Sequence, residues 1–461
     1  MENTFERRPW LLPILLALLT LILLRPVWAA TGQALDGKDF QGMFYPLHEY
    51  IRQTLLSGEL PLWNPHQFIG HPIIGNPHAA LFYPATWFMW LVGTVRGLNL
   101  SMVFHAWLGA WGMSQFLRSF TVNNRKVSYV GSLLAGVVYG MSGWAAARFY
   151  AGHYNLFVIF GWIPWSMVAY RYALRRGTWR SALPGVIVFG VMLLAGYPPL
   201  VVYGGLALIA LWVLHIAEIE GTTQAMLTAG VFATLQLTVI GIGGLILGAA
   251  LAVPAAELTV VSARSDADLS FANSFALPPA QFLSLAVPNL FGNPKVPPYY
   301  YWGADFFEAF SAYAGLLPLL AIPLAFRWRW RANWYFVGMI AFGCVWSVGL
   351  EGALLPILLR WVPGFTLFRT PARGLFFVLI GMAGLTALLI SALQTSDATE
   401  RRERLRPIVR RWLPIAASIA FAGGVFFSGW YASASHVEPM PLRAFLVSGA
   451  LTETSIIVLG V

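Results

Sequence analysis

Leu81-Phe82-Tyr83-Pro84-Ala85-Thr86-Trp87-Phe88-Met89-Trp90-Leu91-Val92, residues 81–92, is the stretch on which the topology of the chain turns. It is apolar enough to enter a bilayer, but as a helix it rises only about 18 Å against a hydrocarbon core about 30 Å thick. Pro84 interrupts it as well. Counted as a span, it throws Arg118, Arg125 and Lys126 onto the outer side and disturbs every alternation downstream. Counted as a re-entrant or interfacial segment, it restores an excess of cations on one side of the membrane.

The rest of the chain makes the bilayer necessary. Of 461 residues, 58% are hydrophobic and only 10% charged, and the mean hydropathy is +0.67. A soluble surface of this size needs far more charge. Apolar runs of spanning length are expected near 9–28, 98–117, 129–147, 156–173, 182–196, 198–216, 226–252, 310–326, 333–349, 374–393, 412–431 and 442–461. The fold expected is an all-α polytopic integral membrane protein of about twelve spans, one membrane domain over 1–461. The pair around Tyr197-Pro198-Pro199 is short and reads as a tight or tilted hairpin. Residues 2–8 and 10–24 also resemble the charged and apolar regions of a signal peptide, but the many spans that follow favour an uncleaved first span.

Cations then orient the chain. Arg7-Arg8, Arg118/Arg125/Lys126, Arg171/Arg175/Arg176/Arg180, Arg327/Arg329/Arg331 and Arg401 to Arg411 fall in alternate loops, with an acidic exception at Glu218 and Glu220. The expected N-terminus is cytoplasmic, and the net charge of +10 is a topology signal, so nucleic acid is not expected as a partner. The outer side receives two long loops, about 29–97 and 253–309, and a shorter segment at 350–373. Their wealth of Trp, Tyr, Phe and Pro argues for packed structure.

Chemistry has few places to sit. The single cysteine, Cys344, excludes an intramolecular disulfide and a cysteine-based metal cluster. His48, His66, His71 and His78 crowd the first loop without the spacing of a zinc motif. No Walker loop, dinucleotide fingerprint or Gly-x-Ser-x-Gly elbow is present, which disfavours an ATP-driven pump and a serine hydrolase. His105 lies within an expected span, where an ionisable side chain is either functional or satisfied by one interhelical hydrogen bond. Asp36 and Asp39 lie just beyond the first span, before an amphipathic run with Phe44, Leu47, Ile51 and Leu55 at helical spacing. A carboxylate there can act as a general base when partly desolvated, or simply cap a turn. Arg264 stands near the outer end of a span, and Arg369 and Arg373, four apart, at the mouth of another. Such guanidiniums bind phosphate, pair with Glu257 or Asp266, or snorkel. Asp305 and Glu308 share a face if a helix has already begun.

The order of the motifs resembles the YfhO-like family of bacterial membrane proteins, within the GT-C superfamily of glycosyltransferases. Asp39 with Phe44-Tyr45-Pro46, then Gly58-Glu59-Leu60-Pro61-Leu62-Trp63-Asn64-Pro65 with Gly70 and Tyr83-Pro84, carry the first part. Gly152-His153, Trp162-Ile163-Pro164, Gly196-Tyr197-Pro198, Pro254 through Arg264, Glu308 through Gly315 and Leu367 through Arg373 follow in order. The family's Gln four residues after the acid is here Met43, with Gln41 nearby.

The resemblance implies a GT-C-like architecture in the bacterial cytoplasmic membrane with its site facing outward. It implies transfer of a sugar from a polyprenyl-phosphate donor to a lipid or glycan acceptor, with inversion. Asp39 would be the base, Asp36 its substitute. Arg264, Arg369 and Arg373 would hold the donor phosphate. Trp63, Asn64, His153 and Glu308 would face acceptor or sugar, with Tyr83 and Trp302 as further aromatic platforms. No cofactor is called for, and a divalent metal is left open. Members are commonly longer, so a shortened chain is expected, its catalytic completeness open. The rivals are a transporter or flippase for a lipid-linked glycan, which needs the cations but no base, and a scaffold without catalysis.

Overall fold

The structure, a computed structural model, describes residues 2–29, 35, 37–67, 69–292, 294, 301, 303–304, 306–326, 331–362 and 364–397, with 399, 403, 406 and 410 beyond them. The expected spans 412–431 and 442–461 lie outside the described residues, as do Asp36, Trp302, Asp305, Arg327, Arg329 and most of 401–411. Apart from two hairpins of two-residue strands, the described chain is all-α. The principal helices are α1 (Leu11–Leu23), α2 (Tyr45–Leu56), α3 (Pro84–Val92), α4 (Thr94–Leu117), α5 (Tyr129–Gly140), α6 (Gly143–Ala151), α7 (Tyr154–Arg176), α8 (Leu183–Leu194), α9 (Pro198–Glu218), α10 (Thr223–Val260), α11 (Leu316–Ala325), α12 (Arg331–Ser347), α13 (Leu354–Trp361) and α14 (Leu375–Thr395).

Among the described residues, four stretches are long and apolar enough to cross a membrane: Tyr129–Ala151, α9, α10 and Pro371–Thr395. α1, Trp179–Leu194 and α11 are apolar but shorter. The last of the four is the axis of the fold, 94% buried and apolar on every side. Its Gly381 and Gly384 leave notches occupied by Ile340 and Phe336 of α12. α10 is the reverse: 22% buried, with Ile242, Leu245 and Ile246 exposed, the pattern of a helix facing lipid. It meets α8 through small residues. Ile240 fits over Gly185, Leu247 over Gly190, Phe189 over Gly244 and Leu193 over Gly248.

Of residues 81–92 only Pro84–Val92 are helical, the nine-residue α3, after which Gly93 at φ +95° turns the chain directly into α4. At about 13 Å α3 does not cross a bilayer. Thr86, Met89 and Trp90 are buried and Trp87, Phe88 and Leu91 are exposed, as an interfacial helix requires. Ahead of it, Tyr83 accepts from Trp162 Nε1 at 2.8 Å and donates to His105 Nε2 at 2.6 Å, while His105 Nδ1 donates to the Ser101 carbonyl at 2.6 Å. Both ring nitrogens of His105 are thereby used. The histidine stitches α4 and α7 to the first loop.

Three boundaries differ from the expectation. The 129–147 span breaks at Met141-Ser142, where the Ser142 hydroxyl caps Ala145 N at 3.2 Å, and helix resumes to Ala151. α10 runs past the expected loop start at 253, through Pro254 to Val260. The first loop docks there, with Gly75 so near the Pro254 carbonyl that a Cβ would lie 2.9 Å from it. Tertiary contact outweighs the proline's local preference. The 310–326 run yields only a turn at Phe307–Phe310 and then α11. The acidic exception also has its reason: Glu218 pairs with Arg171 at 3.0 Å and Glu220 with Arg331 at 3.2 Å.

Candidate functional site

Glycine places the carboxylate. A Cβ on Gly37 would lie 2.6 Å from Gly152 N and 2.8 Å from the Ala151 carbonyl carbon. A Cβ on Gly152, itself at φ +78°, would lie 2.7 Å from Phe40 N. The start of the first loop therefore lies backbone to backbone against the turn between α6 and α7. Asp39, which opens a π-helical turn at Phe40–Phe44, is brought to 3.5 Å (Oδ2 to Nε2) from His153. Phe44 then packs on His48 and His78, and Phe40 on Tyr154.

Burial raises the Asp39 carboxyl above its usual range, Glu308 pushes it further, and Arg369 and Arg373 pull it back. Burial holds His153 well below the usual imidazole value, with Arg148, Arg373, His78 and Arg369 adding to the effect. The contact is thus a carboxylate beside a neutral imidazole rather than an ion pair. A carboxylate poised in this way is fit to accept a proton.

The three arginines expected at phosphate share this end of the molecule. Arg264 is within electrostatic reach of Arg369 and Arg373. Its Nη1 donates to the Leu367 carbonyl at 3.0 Å, and its guanidinium and that of Arg369 each lie 5.6 Å from the Phe271 ring centroid. Arg373 stands 5.3 Å over the Tyr197 ring. Arg264 and Arg369 are exposed while Arg373 is buried, so the set deepens from mouth to floor. Three non-glycine residues with positive φ surround them: Phe275 at +60°, Phe306 at +84° and Thr370 at +67°. The two phenylalanines stack at 4.3 Å, and Thr370 N donates to the Ser274 carbonyl at 3.0 Å. Each such conformation costs on the order of 1–3 kcal/mol, and this kind of strain gathers at binding sites.

Sequence reading overlooked Arg148. It lies on α6, 1% exposed, with its guanidinium 4.2 Å over Trp144 and Nη1 donating to the Glu308 carbonyl. Arg373 and Glu308 act on it electrostatically, and its Nε has no hydrogen-bond partner among the described residues. The expected span ended at 147, which assigned this arginine to a loop. An ionisable residue in the apolar run 143–151 was the available signal. His78 was weighed only as a metal ligand. It packs against Tyr197, and burial, with Arg264 adding to it, lowers its imidazole to about 4.

Other expected residues are engaged elsewhere. Asn64 is 1% exposed, accepts from His66 N at 2.9 Å and reaches Gln67 at 3.2 Å, which holds its own turn. Trp63 packs on Gly70 and pairs with Pro72 in a hairpin. Tyr83 is 2% exposed, and its hydroxyl is spent on His105 and Trp162. Glu308 joins the site through its charge and through its carbonyl on Arg148. Among the described residues, no group of three or more His, Cys, Asp or Glu is placed to hold a metal ion. In comparison with known proteins, no family model matches the chain and no curated protein matches it.

Proposed function

We propose that the chain is a GT-C-type glycosyltransferase, with about twelve spans, that passes a sugar from a polyprenyl-phosphate donor to an acceptor hydroxyl. The site would face outward from a bacterial cytoplasmic membrane. The observation that supports this best is a half-buried carboxylate, Asp39, within electrostatic reach of the cations Arg369 and Arg373, which Arg264 adjoins in turn. A flippase headgroup site needs the cations but no general base.

In this reading the acceptor O–H gives its proton to Asp39 as its oxygen attacks the anomeric carbon. The bond from that carbon to the phosphate oxygen breaks, and the electron pair leaves with the phosphate. The arginines stabilise the charge that gathers there, and inversion follows from attack opposite the leaving group. His153 keeps the carboxylate in place, and the fixed guanidiniums hold donor and base in one geometry.

The test is Asp39→Asn, which keeps shape and removes the base. Transfer from a polyprenyl-phosphate sugar in nanodiscs is expected to fall by about 10²–10⁴-fold with the unfolding temperature unchanged. Transfer at the wild-type rate would sink the proposal. Wild-type protein that moves a labelled lipid-linked sugar between leaflets without transferring it would favour the flippase.

A further inference from the structure

We infer that α13 lies in the membrane boundary with Ile357 and Trp361 among lipid acyl chains, and that it holds the rim arginines, Arg264 and Arg369, at the level of the lipid headgroups. The inference goes beyond the reading above and does not depend on it, because it concerns what covers α13 rather than what the site transfers.

The residues of α13 set the problem. Its eight residues, Leu354–Trp361, rise only about 12 Å, against a hydrocarbon core about 30 Å thick. Leu355 is buried, and Leu354, Leu358 and Leu359 pack against the core. The opposite face carries Pro356, Ile357, Arg360 and Trp361, all exposed, Ile357 by 54% and Trp361 by 73%. A helix that is apolar on both faces has no side to give to water. The one charge on the outward face, Arg360, has its guanidinium 5.6 Å from the Trp361 ring centroid. Tryptophan beside arginine suits a membrane–water boundary, where the arginine stem lies in the apolar layer and its charge reaches the headgroups.

What covers that face follows from its neighbours. The exposed flank of α10 is apolar through Leu235, Ile242, Ile246 and Val253, and it closes with Val260 and Val261, 73% and 80% exposed. Three residues on, Arg264 Nη1 donates to the Leu367 carbonyl at 3.0 Å. Three more hydrogen bonds join the same two segments. Leu350 N donates to Asn273 Oδ1 at 2.8 Å, Leu277 N to the Ser347 carbonyl at 2.7 Å and Thr370 N to the Ser274 carbonyl at 3.0 Å. α13 and the end of α10 thus belong to one bonded unit, at the end of the molecule where two stretches of spanning length, α10 and Pro371–Thr395, meet the loops. The lipid that faces α10 continues past Val260 onto Ile357 and Trp361. Arg264 and Arg369 stand on the same unit, so an anion carried on a lipid meets them without leaving its leaflet.

Nitroxide labels on single cysteines test this in the purified full chain, carrying Cys344→Ala, in phosphatidylcholine nanodiscs. Ile357→Cys and Trp361→Cys are compared with Ile246→Cys on the flank of α10 and Arg125→Cys on an exposed turn. Dissolved oxygen gathers among acyl chains, and a neutral nickel chelate stays in water. The labels at 357 and 361 are expected to collide severalfold more with oxygen, and severalfold less with the chelate, than the label at 125, and to match that at 246. A label at the exposed Ser265, beside Arg264, is expected to be relaxed by nickel held on chelating lipid headgroups. Water-like values at 357 and 361 would overturn the inference. Shielding from both reagents would overturn it too, since a second copy or another protein would then cover α13. A label at 265 untouched by headgroup nickel would overturn the placement of the rim. Lipid-like labels on a chain that transfers no sugar would uphold the inference and remove the transferase reading, and water-like labels with transfer intact would do the reverse.

Discussion

At the scale of single residues, the end of the molecule that holds Asp39 is a place where histidines are kept neutral. Burial lowers His48 to about 3 and His78 to about 4, and His153 lies well below the usual 6.5. Between those values and 6.5 the unfolded chain binds protons that the folded chain refuses, so stability rises with pH there. The contribution is complete above 6.5 and is lost as the pH falls, by about 1.4 kcal/mol per pH unit for each imidazole. Asp39, raised in the folded state, works in the opposite direction but is one group against three. The unfolding temperature in detergent is therefore expected to drop between pH 7 and pH 5, and His78→Gln to make the drop shallower. A temperature that holds steady over that range would contradict the burial of these rings. Asp39, Arg264, Arg369 and Arg373 stood out in the sequence as candidates, each with a structural alternative, and it was the family resemblance that singled them out. Arg148 did not stand out, because one misplaced helix end turned a buried cation into a loop residue. Asn64 misled for another reason: a short polar side chain in a turn reads the same whether it binds a ligand or its own backbone.

At the scale of elements, the site depends on two backbones lying against each other. Gly37→Ala would force a methyl group to within 2.6 Å of Gly152 N and pry Asp39 from His153. The cost is about 1–3 kcal/mol of overpacking. Because base and phosphate clamp would separate, transfer should fall by roughly a hundredfold, far more than the loss of stability explains. Activity within twofold of wild type would show that this contact does not align the site. Sequence patterning found the helices well where they are long and apolar, as for α9 and α14. It failed at α10, where a span was expected to end at 252 and the helix, against which the first loop docks, continues to Val260. It could not see the strained turns at Phe275, Phe306 and Thr370, since those are imposed by contacts far apart in the chain.

At the scale of the whole molecule, one end gathers Arg118, Arg171, Arg175 and Arg331 with Glu218, and the other gathers the carboxylate, the arginine clamp and α3. With Cys344 replaced by Ala, single cysteines at Gly58 and Val261 should react with a membrane-impermeant maleimide added outside intact cells. Cysteines at Arg125 and Arg180 should react only after permeabilisation. Labelling of Gly58 and Arg125 from one side would mean that residues 81–92 cross the bilayer after all. The glycine contacts between α8 and α10 bear on how such a molecule can move. Bulky side chains on each helix are seated in gaps on the other at several heights, so neither can slide along its partner without unseating them all. α8 leads into the Gly196-Tyr197 corner beneath Arg373, and α10 into Ser262–Arg264 at the rim. The two helices are thus the tines of one fork: whatever displaces the Tyr197 corner carries the Arg264 rim with it.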